Sequence, residues 1–354
     1  MNRRQVSRRE FLGRSALIGG GALAASLAAR PARAAGQIVI TDPGGEWQQA
    51  ATAAYYKPFE KETGIKVLYS ARPSLAMGRI KAMVEAKNVE WDVTILADYL
   101  MYRAGKDGLV EAIDYKTLDT ANVIKSAMTR YGLGNDVYAT VMAHSTKKWP
   151  AGQGPKTWAD FWDVKKFPGR RSMSGIGYGP LEFALLADGV ALDKLYPLDV
   201  PRALKKMDEI KPHVKVWWTT GAQQAQLMDG DEVDLIQGWN GRFQGAIDKG
   251  APFAIEWNGI YQIEGWVIPK GAPNREAAMK FLNFSLKPEN QAEFAKVLPY
   301  GPVNQKALGL LPPARARQLP TFEANVSKLT AVNAEWVADH TDELQAKWTE
   351  WKVK

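Results

Sequence analysis

The chain has 354 residues, enough for two domains of ordinary size, and its 46% hydrophobic and 24% charged residues exclude an intrinsically disordered protein. The formal net charge is +8, but the first 34 residues hold seven arginines and one glutamate, so +6 of this charge lies in that segment. The remainder of the chain carries only about +2 and gives no reason to expect a nucleic-acid partner.

The first 34 residues have the pattern of an export signal. A basic segment (residues 1–10) precedes a weakly apolar segment (16–29), and an Ala-x-Ala site predicts cleavage after about Ala34. The sequence SRREFL at residues 7–12 resembles the signal read by the twin-arginine export machinery, which carries folded proteins. A general secretory signal with extra arginines is the alternative. Either signal predicts a periplasmic protein.

The chain contains no cysteine, which excludes disulfide bonds and a lipid-anchored cysteine after the signal. No later apolar run reaches about 18 residues, so no further membrane span is expected. We expect the mature protein to be soluble, free and monomeric.

Strands and helices alternate from residue 37 onwards. A strand at 37–41 leads through a glycine-rich turn to a helix at 46–62, and further strands follow at 65–69 and 91–96. Helices are predicted between and after these strands, at 74–86 and from 97 to about 105. This alternation predicts a parallel α/β sheet.

A second group of strands and helices begins after a strand at 136–143. Thr157 is a plausible helix cap, and strands are predicted at 171–174 and 233–236. We expect lobe 1 to comprise residues 35–140 and 267–354, and lobe 2 to comprise 141–266. Chain crossings near 138–143 and 264–268 would form a hinge. The helical end of the chain, from residue 326, is expected to pack across lobe 1.

One stretch, residues 234–269, concentrates the features of a ligand site. It combines flat aromatic side chains, glycines that let the backbone approach a ligand, and two charged groups, Arg242 and Glu264. We expect it to line a small-molecule site where the two lobes meet. Of the adjacent Trp217 and Trp218, at most one is expected to face that site.

The motifs of several other function classes are missing from the sequence. Three dispersed histidines and no cysteine do not suggest a zinc or iron cluster, and neither a phosphate-binding loop nor a nucleophile elbow occurs. We expect no metal, no cofactor and no enzymatic activity. An exported hydrolase is the less well supported alternative, because no nucleophile or metal set is assembled.

Several stretches resemble periplasmic solute-binding proteins of ABC importers, specifically the spermidine/putrescine-binding group. They cover most of the chain between residues 37 and 310. The stretches are 58–67 (PFEKETGIKV), 90–93 (EWDV), 108–114 (GLVEAID), 156–162 (KTWADFW), 238–241 (GWNG), 264–269 (EGWVIP) and 300–304 (YGPVN).

The resemblance implies a type II periplasmic binding protein, in which two α/β lobes, each a mostly parallel sheet with flanking helices, close on a ligand. It also implies delivery of that ligand to an ABC permease in the inner membrane. By family position, Trp47, Tyr99 and Trp239 would be aromatic ligand contacts. Glu264 would place a carboxylate against an amine of the ligand.

The chain also departs from the polyamine-binding pattern. Ile176 and Gly179 stand where that group has two acids, and Gln262 replaces an aromatic residue. Arg242 stands where the group has a small residue. The main expectation is a small amine-containing, polyamine-like ligand, and the alternative is a zwitterionic or carboxylate ligand that meets Arg242. Further candidate contacts are Asp98, Tyr178, Gln262 and Tyr300.

Overall fold

The computed structural model describes residues 36–71 and 76–354. The predicted export signal lies outside these residues. Within the described part of the chain, eleven strands form a single sheet. The strands are β1 (Gln37–Asp42), β2 (Lys66–Ala71), β3 (Val93–Ala97), β4 (Met128–Thr129), β5 (Gly132–Ser145), β6 (Arg171–Ser174), β7 (Val214–Trp218), β8 (Leu235–Trp239), β9 (Phe253–Val267), β10 (Gly301–Pro302) and β11 (Leu329–Ala331).

Helices cover this sheet. They are α1 (Gly45–Ala51), α2 (Lys57–Thr63), α3 (Ala76–Glu85), α4 (Asp98–Lys106), α5 (Trp158–Trp162), α6 (Leu181–Ala187), α7 (Val200–Ile210), α8 (Gly221–Asp229), α9 (Asn240–Asp248), α10 (Arg275–Ser285), α11 (Pro288–Val297), α12 (Pro313–Ala316), α13 (Glu323–Val326) and α14 (Ala334–Val353). A π-helical segment, Thr52–Tyr56, joins α1 to α2 without a break.

Sequence signals set several of the helix boundaries. Gly64 takes a left-handed conformation (φ 70°) after α2, and its N–H donates to the carbonyl of Glu60 at 2.9 Å. The predicted cap Thr157 accepts from the backbone of Asp160, whose carboxylate accepts from the Thr157 N–H in return. These local bonds satisfy backbone groups that a helix end leaves unpaired.

The sheet has two halves joined by two long strands. Its order is β2-β1-β3-β9-β5-β8-β6-β7. Strands β1–β3, which we term the first half, are parallel to one another, and so are β6–β8, the second half. Strands β5 and β9 are antiparallel to each other and run through both halves. The predicted α/β fold is therefore confirmed.

The strand register locates the return crossing earlier than residues 264–268. Ile260 pairs with Thr140, which in turn pairs with Trp239 of the second half. Glu264 already pairs with Ala97 of the first half. The chain thus crosses between residues 260 and 264, within a continuous strand. The lobe boundaries expected at 140/141 and 266/267 remain a prediction.

Two aromatic-rich clusters fill the core on either side of the crossing. In the first half, Trp266 contacts Phe281 at 5.2 Å between ring centroids, and Phe59 contacts Phe281 at 5.4 Å. In the second half, Trp158 lies 4.3 Å from Phe183. Burial of such large side chains supplies much of the driving force for folding.

Helix α14 contacts both halves and not the first alone, which corrects the packing expected for the end of the chain. Its Asp342 accepts two hydrogen bonds of 2.7 Å from Arg103 of α4. Near its end, Trp351 donates its indole N–H to Asp208 of α7 at 2.7 Å, and Trp348 packs on Trp217. The tryptophans of α14 could not be assigned to a half from sequence, because they follow no fixed spacing to a strand.

Among the helices of residues 36–71 and 76–354, none combines the length and the apolar character needed to cross a membrane.

Candidate functional site

A cavity of about 340 Å³ lies between the two halves of the sheet. The first half contributes helix α1, the second half contributes α8 and α9, and β5 and β9 form the floor. The residues that line it are Pro43, Trp47, Tyr138, Thr219, Thr220, Gly221, Trp239, Arg242, Glu264 and Tyr300. Such a concave, largely aromatic space with a few charged groups is typical of a small-molecule site.

Aromatic rings form its walls. Tyr138 lies 6.3 Å from Tyr300 and 6.4 Å from Trp239, and its ring is nearly perpendicular to that of Trp239 (82°). Trp47 is held edge-on against Trp266 at 5.6 Å and exposes only 3% of its surface. Rings fixed in this way can bind the flat or apolar parts of a ligand and attract an ammonium group.

One end of the cavity is basic. Arg242 lies in the first turn of α9, and its side chain is 32% exposed. Its Nε is buried and has no hydrogen-bond partner among the described residues. The first turn of α8 lies beside it, because a Cβ on Gly221 would come within 2.8 Å of Nε of Arg242. A guanidinium next to a helix N-terminus suits a carboxylate.

The other end is acidic. Glu264 of β9 pairs directly with Asp136 of β5, so both side chains lie on the same face of the sheet. Asp136 is buried, and Asn135 donates a 2.9 Å hydrogen bond to its Oδ2. Burial raises the pKa of Asp136 well above its usual range, and the negative charge of Glu264 raises it further. Glu264, which is half-buried, reaches the cavity, and Asp136 lies behind it.

The start of α9, next to Trp239, is held in place by the side chain of Asn240. Asn240 accepts a hydrogen bond from the Ala139 N–H at 2.8 Å and donates one to the Pro299 carbonyl at 2.7 Å. It thereby ties the start of α9 to β5 and to the loop that carries Tyr300. The adjacent residue must be glycine, because a Cβ on Gly241 would lie 2.2 Å from the Tyr300 ring.

The same acidic and basic groups act on Tyr300. Burial raises the pKa of its phenol, the nearby charge of Arg242 lowers it, and that of Glu264 raises it again. The charges of both Arg242 and Glu264 therefore act on Tyr300.

Five of the nine predicted contacts line this cavity together: Trp47, Trp239, Arg242, Glu264 and Tyr300. Whether each touches a ligand remains a prediction.

The other four predicted contacts lie outside the cavity lining. Asp98 accepts from the Ile263 N–H at 3.2 Å, and burial raises its pKa to about 6. Gln262 hydrogen-bonds to Asp98. Tyr99 and Tyr178 are half-buried and pack against the core of the second half.

Sequence reasoning missed Pro43, Tyr138 and residues 219–221. Tyr138 was on the predicted crossing strand, where its neighbours on both sides are apolar. Thr219 and Thr220 follow β7, a strand that was not predicted; Thr220 caps α8 by accepting from the Gln223 N–H at 3.2 Å. A threonine pair before a helix was the available signal.

Neither Trp217 nor Trp218 lines the cavity. Trp218 is buried and donates its indole N–H to the Gln237 carbonyl at 2.7 Å. It packs edge-on behind Trp239 at 5.2 Å and so supports the aromatic wall from outside.

Comparison with known proteins gives consistent matches over most of the chain. Residues 54–323 match the family described as bacterial extracellular solute-binding protein. The gamma-aminobutyric acid-binding protein of Pseudomonas aeruginosa is 36% identical over 324 residues, which cover 90% of this chain and 91% of that protein. The spermidine/putrescine-binding periplasmic protein of Escherichia coli is 26% identical, covering 83% of this chain and 85% of that protein.

The fold matches equally well. The crystal structure of an ABC transporter substrate-binding protein from Bradyrhizobium japonicum superposes with a TM-score of 0.84 at 40% identity, covering 90% of this chain and 99% of that one.

Proposed function

The chain belongs to the bacterial extracellular solute-binding protein family, and we propose that its ligand is a zwitterion with one ammonium and one carboxylate group. The predicted resemblance to ABC-importer binding proteins is confirmed. The chain is thus the periplasmic substrate-binding component of an ABC transporter and not an enzyme.

One observation carries the proposal: Arg242 and Glu264 line the same cavity. A guanidinium can hold a carboxylate through two hydrogen bonds, and a carboxylate can hold an ammonium through a charge-assisted hydrogen bond. The rings of Tyr138 and Trp239 line the same cavity and would cover the short carbon chain of the ligand. A γ-amino acid has this distribution of charges.

The relatives support the same ligand class. The 36% identical relative is named for gamma-aminobutyric acid, and the 26% identical one for spermidine and putrescine. A polyamine brings cations at both ends, and one end would then meet Arg242. We keep the main sequence expectation of an amine-containing ligand and propose its amino-acid-like alternative in preference to the polyamine-like form.

Closure on the ligand and delivery to the permease would depend on a hinge. We propose that ligand binding favours closure about the crossings in β5 and β9, and that the closed form is presented to the permease. The mature protein would begin after about Ala34, be exported by the twin-arginine machinery and act as a monomer.

Titration of the mature protein tests this function. Intrinsic tryptophan fluorescence and melting temperature would be followed with γ-aminobutyrate, putrescine, spermidine, butylamine and butyrate. We expect γ-aminobutyrate to bind more tightly than either half-ligand, butylamine or butyrate. A response to putrescine that exceeds the response to every amino acid would overturn the zwitterion proposal, and turnover of a ligand would favour the hydrolase.

A further inference from the structure

Asp136 lies directly behind the acidic end of the cavity. It is 1% exposed and pairs across the strands with Glu264. Its Oδ2 accepts from Asn135, while its buried Oδ1 has no hydrogen-bond partner among the described residues. Two carboxylates on directly opposed positions repel each other, and an ionised carboxylate with an unpaired buried oxygen is costly.

The surroundings provide little positive charge to offset a second carboxylate. Asp136 acts electrostatically on Tyr55 and on Tyr300, and Glu264 acts on Tyr138. Asp98 of α4 adds a further carboxyl group near Glu264. Around Tyr300 the charged groups are one cation and three acids: Arg242, Glu264, Asp136 and Glu46.

We infer that Asp136 is a specificity-determining residue, which holds a proton beside ionised Glu264 so that the Asp136–Glu264 pair carries one negative charge and accepts one ammonium group. The ligand class in this inference rests on the proposed function, whereas the proton on Asp136 is argued from the geometry of the pair. Burial and the charge of Glu264 both favour the neutral acid, as the raised pKa of Asp136 indicates.

Whether Asp136 keeps its proton then depends on the number of ammonium groups that the ligand brings to the acidic end. A γ-amino acid brings one ammonium, which Glu264 neutralises, so Asp136 keeps its proton. A diamine that placed its second ammonium near this end would need a second countercharge. Asp136 would then ionise and release its proton to solvent.

Binding measured against pH tests this consequence. If a diamine binds with release of one proton, its affinity for the wild-type protein should rise with pH, by up to about tenfold per pH unit. In Asp136→Asn the side chain cannot ionise, so this rise should disappear. Persistence of the rise in Asp136→Asn would overturn the inference.

Infrared difference spectroscopy of the ligand-free protein measures the protonation state of Asp136 directly. Subtracting the Asp136→Asn spectrum from that of the wild type at pH 7 should leave the C=O band of a protonated carboxylic acid, which shifts in D₂O. Other buried acids cancel in this difference, and Glu256→Gln on β9, the strand of Glu264, serves as the control. A difference spectrum with carboxylate bands and no C=O band of a protonated acid would overturn the inference. This outcome does not depend on whether the proposed γ-amino acid binds.

Discussion

Arg242 and Glu46 form an ion pair beside the cavity, with Nη1 of the arginine 3.9 Å from Oε2 of the glutamate. Glu46 belongs to α1 beside the first half of the sheet, and Arg242 belongs to α9 beside the second half. The separation is too long for a direct hydrogen bond. The guanidinium therefore keeps its donors for a ligand while its charge is partly balanced.

Replacing Arg242 with alanine should weaken binding of a γ-amino acid by about 10- to 100-fold, because a charged hydrogen bond contributes about 1.5–3 kcal/mol. Calorimetric titration with γ-aminobutyrate measures the loss. Lys249→Ala is a matched control, since Lys249 also pairs with Glu46, at 3.1 Å, but its side chain is 68% exposed. Equal losses in both variants would contradict a direct role for Arg242.

Replacing Glu264 with glutamine should weaken binding of the same ligand by a similar factor, because the ammonium loses its countercharge while the shape of the site is kept. The affinity for butyrate should change far less. Glu256→Gln provides the control on the same strand, because Glu256 pairs with Lys156 at 3.4 Å and does not line the cavity. Unchanged γ-aminobutyrate affinity in Glu264→Gln would remove Glu264 from the site.

Two glycines of α9 should respond in opposite ways to alanine. Gly241→Ala should displace Tyr300, since the new Cβ would lie 2.2 Å from its ring, and should cost about 1–3 kcal/mol of stability together with ligand affinity. Gly245→Ala meets nothing within 4 Å and should stabilise the helix by about 0.5–1 kcal/mol. Chemical denaturation and ligand titration of both variants compare the two effects. Unaltered binding in Gly241→Ala would show that Tyr300 is not held by this contact.

Asp234 should make the stability of the protein depend on pH under acidic conditions. Partial burial alone would raise its pKa, but hydrogen bonds from Arg170 and Lys148 outweigh burial and lower it to about 2. Because the folded-state pKa is below the unfolded one, this stabilisation is present above about pH 4 and is lost as the pH falls towards 2. Asp234→Asn should therefore melt at a lower temperature than the wild type at pH 7.

The difference in melting temperature should shrink as the pH is lowered towards 2. Asp231→Asn is the comparison, because Asp231 also pairs with Arg170, at 3.4 Å, but its side chain is 54% exposed. A gap between Asp234→Asn and wild type that stays constant down to pH 2 would rule out this proton linkage.

Helix α14 allows a test of how strongly the end of the chain is tied to the first half. The pair of Arg103 and Asp342 is bidentate, but the aspartate side chain is 80% exposed. A double-mutant cycle with alanine at both positions should yield a coupling free energy of about 0.2–1 kcal/mol that falls in high salt. A larger, salt-insensitive value would indicate a less solvated contact than the structure has.

The fold was readable from the sequence where local signals are strong. Strand β6 has the predicted bounds, and Thr157 caps α5 as expected. The long strand β9 was recognised only at its end. Residues 254–258 are all half-buried, so they show neither a continuous apolar run nor a clear alternation.

The site was predictable to the extent that it depends on chain position. Trp239 and Arg242 follow the end of a predicted strand, where ligands of parallel sheets bind. Tyr99 also follows a strand, yet it packs into the core of the second half. Its direction depends on tertiary packing, as does the pairing of Asp136 with Glu264, which requires the register of two strands that are distant in sequence.

The pairing of β3 with β9 has a consequence for synthesis of the protein. Thr94 cannot meet its partner Val267 until the whole second half has been made, so the first half waits with one edge of β3 open. Contacts so distant in sequence slow folding, and an unpaired edge invites association with other chains. We therefore expect nascent or truncated chains that stop before residue 253 to depend on chaperones, and the finished chain to escape that dependence once β9 is in place.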